Sequence, residues 1–327
     1  MSISLPSFAK INVGLRIGPL REDGFHELRT VYQTIALHDI ISVSVERGSG
    51  IEIRCDDPRV PLDSTNTCFR IVDRAMQALT ARGRVVIEIE KRLPVQGGLG
   101  GASGNAVAAL LGLEQALRKK LPAPERLRIA SEVGSDLPLF FIGGTVLGVS
   151  RGEEVYPLPD LPAMACVVAL PEMAVSTPKA FADWDSLCGD NDKLTPSTHS
   201  DRMLEFSREI SAWLSAVPIA GRRRSGVSAI DGGRAENLLL DLVRTGIEND
   251  FERVVFPKYP EMREVKRVLE QSGARYASLS GSGSAIYGLF DSRERAAAAA
   301  KKLTRHGTRA VVTTTLTRQQ YWKAFSH

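Results

Sequence analysis

The stretch that most constrains this chain is PVQGGLGGASGNAVAAL, residues 94–110, which holds five glycines in the eight positions from Gly97 to Gly104. Glycine loses more conformational freedom on folding than any other residue, so this many in one turn mark a place that needs unusual dihedrals or close backbone approach. The run before it, RVVIEIEK (84–91), reads as a strand, and GNAVAALLGLEQALRKKL (104–121) reads as a helix. The last turn of that helix carries Arg118, Lys119 and Lys120, favourable at the negative end of its dipole. A glycine-rich turn between strand and helix lets N–H groups approach an anion, and the helix N-terminus adds further donors and a positive pole. A polyphosphate suits such a place. So does a tight turn whose glycines serve packing alone, and the residues by themselves leave both readings open.

Spacing disposes of two familiar phosphate cradles. The P-loop needs a lysine just before its hydroxyl residue, and none lies between Val95 and Leu117. A dinucleotide fingerprint begun at Gly98 places Ser103 where its third glycine belongs and finds no acidic residue about 20 positions on to hold a ribose.

The rest of the chain reads as a large globular α/β mixture. Its 327 residues, 43% of them apolar, suffice for two domains. Lys and Arg number 42 against 38 Asp and Glu, a net charge of +4 that is too mild to argue for nucleic acid and is compatible with anionic small molecules. The four cysteines, Cys55, Cys68, Cys166 and Cys188, are widely spaced with no CxxC pair, which suggests neither a zinc knuckle nor a disulfide framework and fits a reducing cytosol. There is no leader-like N-terminus and no apolar run of the roughly 20 residues a membrane span needs, so the expectation is a soluble, cytoplasmic protein.

Phe8 to Leu15 alternates as a half-buried strand, with Lys10 and Asn12 on one face. Further strands are expected in FHELRTVYQTIALHDIISVSVE and GIEIRC, and a helix over TCFRIVDRAMQALTARG ending at Gly83. A short helix around ERLRIASEVG, strands after the paired glycines of FFIGGTVLGV, and a linker at PLPDLP (157–162) complete the first half. The second half opens with the strand ACVVALP and continues through residues 183–235, expected as long loops around one helix, with the triple arginine 222–224 on a surface loop. It closes with the helix YPEMREVKRVLEQSG, a second glycine and serine cluster SLSGSGSAIYGLF, the helix SRERAAAAAKKLTRHG and the strand TRAVVTTTL.

PVQGGLGGASGNA resembles the P-x-x-x-G-L-G-[GSA]-[GSA]-[SA] loop of the GHMP kinases. SLSGSGSAIYGLF (278–290) is similar to the third, glycine-rich motif of that superfamily, and PSFAKINVGLRI to its first. REDGFHEL (21–28), GSDLPLFFIGGT (134–145), SRGE (150–153) and NDFERVVFPKYPEM (249–262) carry the resemblance along most of the chain, leaving 183–235 and the last twenty or so residues unmatched. The resemblance implies an α+β, two-domain fold: an N-terminal nucleotide domain of the ribosomal-protein-S5-domain-2-like type over 1–160, and a C-terminal domain with a ferredoxin-like core over 161–327. It implies ATP with Mg²⁺ as phosphoryl donor. The acceptor implied is 4-diphosphocytidyl-2-C-methyl-D-erythritol, phosphorylated on its 2-hydroxyl. Another small alcohol, homoserine or mevalonate, and an inactive binding module are the alternatives.

Residue by residue, the resemblance implies Lys10 and Asp136 as the catalytic pair, although Lys10 alone looks like a solvated strand lysine and Asp136, two before Pro138, like a helix cap. It implies nucleotide contacts from Pro94, Val95, Gln96, Gly97, Gly98, Leu99, Gly100, Gly101, Ala102, Ser103 and Gly104. Ser103 reads equally as a helix cap, and Gly104 stands where many relatives carry a serine, one oxygen fewer near the phosphates, so no metal ligands are assigned. On the acceptor side it implies Asn12 at the erythritol hydroxyls, Phe25 and His26 at the cytosine, and Thr177 on a substrate-side loop. Phe25 stands where the family commonly has Tyr, keeping the stacking face without the hydroxyl.

Overall fold

The computed structural model describes residues 2–189, 196–216 and 247–326. Two sheets organise them. The first is built on a long antiparallel hairpin, β1 (Ser2–Leu20) and β2 (His26–Glu46), in which Lys10 lies opposite Thr34 and Asn12 opposite Tyr32. The ladder slips between Phe8 and Ala9 and again between Asn12 and Gly14, and such bulges bend and twist a strand. β2 is long enough to pair with two further strands on its other edge. Ile40–Glu46 pair with β4 (Arg84–Glu90), itself parallel to β3 (Gly50–Cys55), while Thr30–Gln33 pair with β5 (Thr145–Val149), which continues into β6 (Glu154–Pro157).

Three helices, α1 (Thr67–Ala78), α2 (Gly101–Leu117) and α3 (Ala123–Val133), pack over this sheet around a core that includes Ile41, Val43, Ile71, Ile87, Leu110 and Ile129. α1 ends at Ala78, before the glycine expected to stop it, because Thr80 already turns the chain with φ 47°. α2 ends at Leu117, so Arg118 serves as its left-handed cap and the two lysines lie beyond it.

The second sheet is antiparallel, in the order β10–β7–β9–β8, formed by β7 (Ala165–Leu170), β8 (Tyr276–Leu279), β9 (Ile286–Phe290) and β10 (Arg309–Thr314). Helices α7 (Pro260–Gln271) and α8 (Arg293–Arg305) lie on it. β1 joins the two halves. Ala9, Ile11 and Val13 share a core with Val168, Tyr287 and Leu289 of the second sheet, while Lys10 and Asn12 on the other face are only 4% and 1% exposed. The strand expected to be half-buried is therefore buried on both faces: the second sheet covers its apolar face, while the Gly98–Gly100 loop, Asp136 and Thr30 close over Lys10 and Asn12.

Two further regions differ from expectation. Residues 183–235 begin with helix, not loop: α4 spans Thr177–Gly189 and α5 spans Pro196–Ala216, so PSTHS opens a helix that tolerates Pro in its first turn. Met203, Phe206, Ile210 and Trp213 give α5 its buried stripe. The triple arginine 222–224 lies outside the described residues. The chain also returns to the first sheet at its end, where Leu316 N–H donates to Thr34 O (2.9 Å) and α9 (Arg318–Lys323), closed by a Thr317–Gln320 capping box, lays Tyr321 against Phe8. Between them, α6 (Glu252–Lys258) precedes α7 directly. No helix among the described residues is long and apolar enough to cross a membrane.

Candidate active site

Strand β4 hands over to the glycine-rich loop through a buried anchor. Asp39, fully buried in β2, accepts N–H bonds from Arg92 and Leu93 (2.7 Å each) and holds the Lys91 ammonium at 2.5 Å. The loop then runs beneath β1, where Lys10 N–H donates to Leu99 O (2.9 Å). Gly98 and Gly100 adopt φ of +73° and +68°, a backbone region that residues with side chains rarely adopt. A Cβ on Gly98 would lie 2.1 Å from Ser280 O, and one on Gly100 would lie 3.0 Å from Lys10 Cγ and 3.1 Å from Phe140 Cζ. Gly100 is the N-cap of α2, so the unpaired N–H groups of the first helical turn face the loop.

The second glycine and serine cluster forms the turn between β8 and β9 and locks onto the first. Ser280 hydroxyl donates to Gly98 O (3.0 Å) and Ala285 N–H to Gly97 O (3.1 Å). Asn249 holds this turn from behind, donating to Leu279 O and Gly281 O at 2.8 Å each. A Cβ on Gly281 would come within 3.6 Å of Lys10 Nζ and 3.5 Å of Asn12 Oδ1, so both loops and β1 converge on one point.

At that point Lys10 Nζ donates to Asn12 Oδ1 (2.8 Å) and sits 3.2 Å from Asp136 Oδ2. Asn12 in turn donates to Thr30 Oγ1 (2.8 Å), which donates to Gly14 O (2.7 Å). The ammonium thus keeps one N–H, and the Asn12 amide one N–H, for a ligand. Asp136 does not cap a helix. The 3₁₀ turn Pro138–Phe141 follows Leu137 with no side-chain cap, and the Asp136 carboxylate turns instead to Lys10 and to the Tyr32 hydroxyl, which donates to Oδ1 at 3.0 Å. Burial, with the Asp136 charge beside it, pushes the Tyr32 phenol well above its usual pKa, so it remains a donor.

Two cavities meet at the loop. The larger, about 610 Å³, is lined by Lys10, Asn12, Phe25, His26, Asp136 and Thr177 among others. The smaller, about 330 Å³, is lined by Pro94 to Ser103 together with Arg59, Asn66, Thr67 and Lys91. Gly98 and Gly100 border both. Of the eleven loop residues expected at a nucleotide, Gly104 alone is turned away. A Cβ there would lie 2.8 Å from Phe8 O and 2.9 Å from Ser7 Oγ, so its lack of an oxygen serves the packing of α2 on β1 and takes nothing from the phosphate side. Ser103 is not a cap, since Gly100 holds that place and Ser103 lies inside the first turn on the cavity wall.

At the outer end of the larger cavity Phe25 is 53% exposed, with the Arg151 guanidinium 5.1 Å over its ring. His26 is buried and engaged at both ring nitrogens, Nδ1 with Gly18 O (3.0 Å) and Nε2 with Asp185 Oδ1 (3.0 Å), while its ring stacks on Phe181 at 5.3 Å and 6°. Thr177 is the first residue of α4 rather than part of a loop, and its hydroxyl meets that of Ser282 at 2.7 Å. Sequence reasoning missed Tyr32, Phe181 and Asp185. The last two follow Thr177 at intervals of four on α4, a helical spacing that would have placed them on one face once that helix was recognised. Among the described residues no group of three or more His, Cys, Asp or Glu is arranged to hold a metal ion.

With this geometry in hand, the chain compares closely with known kinases. Residues 66–144 match the GHMP kinases N terminal domain and residues 231–309 the GHMP kinases C terminal domain. A 4-diphosphocytidyl-2-C-methyl-D-erythritol kinase of Solibacter usitatus (strain Ellin6076) is 37% identical over 88% of this chain and 81% of its own. The chain belongs to that kinase family, within the GHMP kinases. It is a small-molecule kinase with ATP as the implied donor. The same-named enzyme of Synechococcus elongatus is 34% identical over 92% of this chain and 90% of its own. A crystal structure of 4-(cytidine 5'-diphospho)-2C-methyl-D-erythritol kinase superposes with a TM-score of 0.69 at 27% identity, covering 96% of this chain and 99% of that one. A homoserine kinase from Cytophaga hutchinsonii superposes with a TM-score of 0.73 over 98% of this chain and 96% of its own, but at 21% identity, a likeness of fold alone.

Proposed function

We propose that this kinase transfers the γ-phosphoryl group of MgATP to the 2-hydroxyl of 4-diphosphocytidyl-2-C-methyl-D-erythritol, on the methylerythritol phosphate route to isopentenyl diphosphate. The observation that carries the chemistry is the Lys10–Asp136 pair, 3.2 Å apart, standing where the two cavities meet at Gly98 and Gly100. Phosphoryl transfer through a loose transition state asks for positioning and charge stabilisation more than for a strong base. The Asp136 carboxylate orients the alcohol and takes its proton as the new O–P bond forms. The Lys10 ammonium stabilises negative charge on the alcohol oxygen or the γ-phosphoryl. Residues 94–103 and the α2 N-terminus receive the nucleotide, and Mg²⁺ arrives on it, keeping phosphate and water ligands.

The acceptor lies in the larger cavity, its erythritol hydroxyls near Asn12 and its cytosine at the end walled by Phe25, His26 and Phe181, with Thr177 alongside. We place the domain boundary between residues 160 and 161 and the enzyme in the cytoplasm, where its free thiols suit a reducing milieu. The test is ADP release by the purified protein with MgATP and, separately, the cytidylated erythritol, homoserine and mevalonate. Turnover is expected with the cytidylated alcohol alone. Turnover with homoserine or mevalonate instead would overturn the acceptor assignment. In the same assay Asp136→Asn should lose roughly 10²- to 10⁴-fold in turnover, as general bases do.

A further inference from the structure

We infer that Tyr32 is a positioning residue for phosphoryl transfer, a phenol held in a glycine-walled slot so that its hydroxyl fixes the rotamer of the Asp136 carboxylate. The inference rests on the assignment of Asp136 as base. Tyr32 is 2% exposed, and its hydroxyl donates to Asp136 Oδ1 at 3.0 Å while Lys10 holds Oδ2 at 3.2 Å, so the carboxylate is gripped at both oxygens from two adjacent strands. Asp136 itself lies in an irregular segment ahead of the 3₁₀ turn Pro138–Phe141, where the backbone alone does little to set its side chain.

The slot is built for the ring. Gly148 on β5 faces Tyr32 so closely that a Cβ there would lie 2.5 Å from Tyr32 Cε2. Gly152, in the SRGE turn between β5 and β6, would put a Cβ 2.5 Å from the Tyr32 hydroxyl and 3.8 Å from Cζ. The ring also lies 5.4 Å beneath the Lys10 ammonium, in cation–π range. Two absent side chains on the neighbouring hairpin thus leave the phenol one place to sit, and from that place it reaches Asp136. This gives the SRGE turn a role that its position, outside the phosphate loops, does not suggest.

A hydrogen bond to a charged group is among the stronger ones, and a residue that orients a base acts on turnover more than on substrate affinity. Tyr32→Phe removes the hydroxyl and keeps the ring. It should lower kcat roughly tenfold or more, with KM for both substrates within about twofold of wild type and a melting temperature lowered by only a few degrees. Gly152 sits at φ +99°, so an alanine there strains the backbone whatever it does to the phenol, and Tyr32→Phe alone carries the test. Wild-type kcat in Tyr32→Phe beside an inactive Asp136→Asn would overturn the positioning role. Near-wild-type turnover in Asp136→Asn would overturn the base assignment itself and the inference with it.

Discussion

At the residue scale the site is a set of polar groups used close to capacity. Lys10 divides its donors between Asn12 and Asp136, Asn12 passes a bond to Thr30, and Asp136 accepts from Tyr32, so each ligand-facing group is already oriented by a protein partner. Lys10, Asn12 and Asp136 were legible because a lysine and an asparagine two apart on a strand share a face and because the motifs around them resemble a known loop set. Tyr32 was not, since nothing in TVYQTI distinguishes a phenol aimed at a carboxylate from one buried in a core. His26 illustrates the opposite case. The sequence pointed to it, yet both its ring nitrogens are taken by Gly18 O and Asp185, so the cytosine we propose there would meet only its ring and its backbone. His26→Ala should raise KM for the cytidylated acceptor far more than KM for ATP, measured by varying each substrate at saturation of the other. Equal rises in the two would detach His26 from the base.

At the scale of elements the decisive contact is between two loops 182 residues apart, where Ser280 reaches Gly98 O. Each loop alone is a common turn, one from strand to helix and one inside a hairpin. Together they form the border at which the two cavities meet and bring the backbone of Gly281 to Lys10 and Asn12. Gly98→Ala demands a left-handed φ of a residue with a Cβ and drives that Cβ to 2.1 Å from Ser280 O, a backbone atom that cannot rotate aside. The variant should lose activity and unfold at a lower urea midpoint, by the roughly 1–3 kcal/mol typical of overpacking, as followed by circular dichroism. A wild-type midpoint would show that the two loops separate freely. Helix α5 teaches a related lesson, since its Pro196 and polar first turn read as loop although Met203, Phe206, Ile210 and Trp213 already carry helical spacing.

At the scale of the whole molecule β1 of the first sheet packs its apolar face against the second sheet, and the buried interior holds several weakly acidic groups in neutral form. Burial pushes the Cys68 thiol up to about 12 from 9.0 and raises Cys166, Tyr276, Tyr287 and Tyr321 above their ordinary values, as it does Tyr32. The folded state therefore binds these protons more tightly than the unfolded chain does. Their contribution to stability is fully present below the unfolded values of 9.0 for thiol and 10.0 for phenol, and is lost as pH rises from there toward the folded values. Urea midpoints measured from pH 8 to about pH 11 should fall steadily above about pH 9, and a flat profile would show that these groups ionise freely in the folded protein.

What the amino-acid order determined by itself is local and periodic: the strand and helix runs, the two glycine clusters, and the shared face of Lys10 and Asn12, all of which follow from backbone geometry over a few residues. Tertiary structure alone decided which cluster meets which, that β1 is covered on both faces, that Asp136 turns from a cap position to Lys10, and that Gly148 and Gly152 leave room for the Tyr32 ring. Those outcomes depend on register and packing between segments more than 100 residues apart, where no local pattern carries the information.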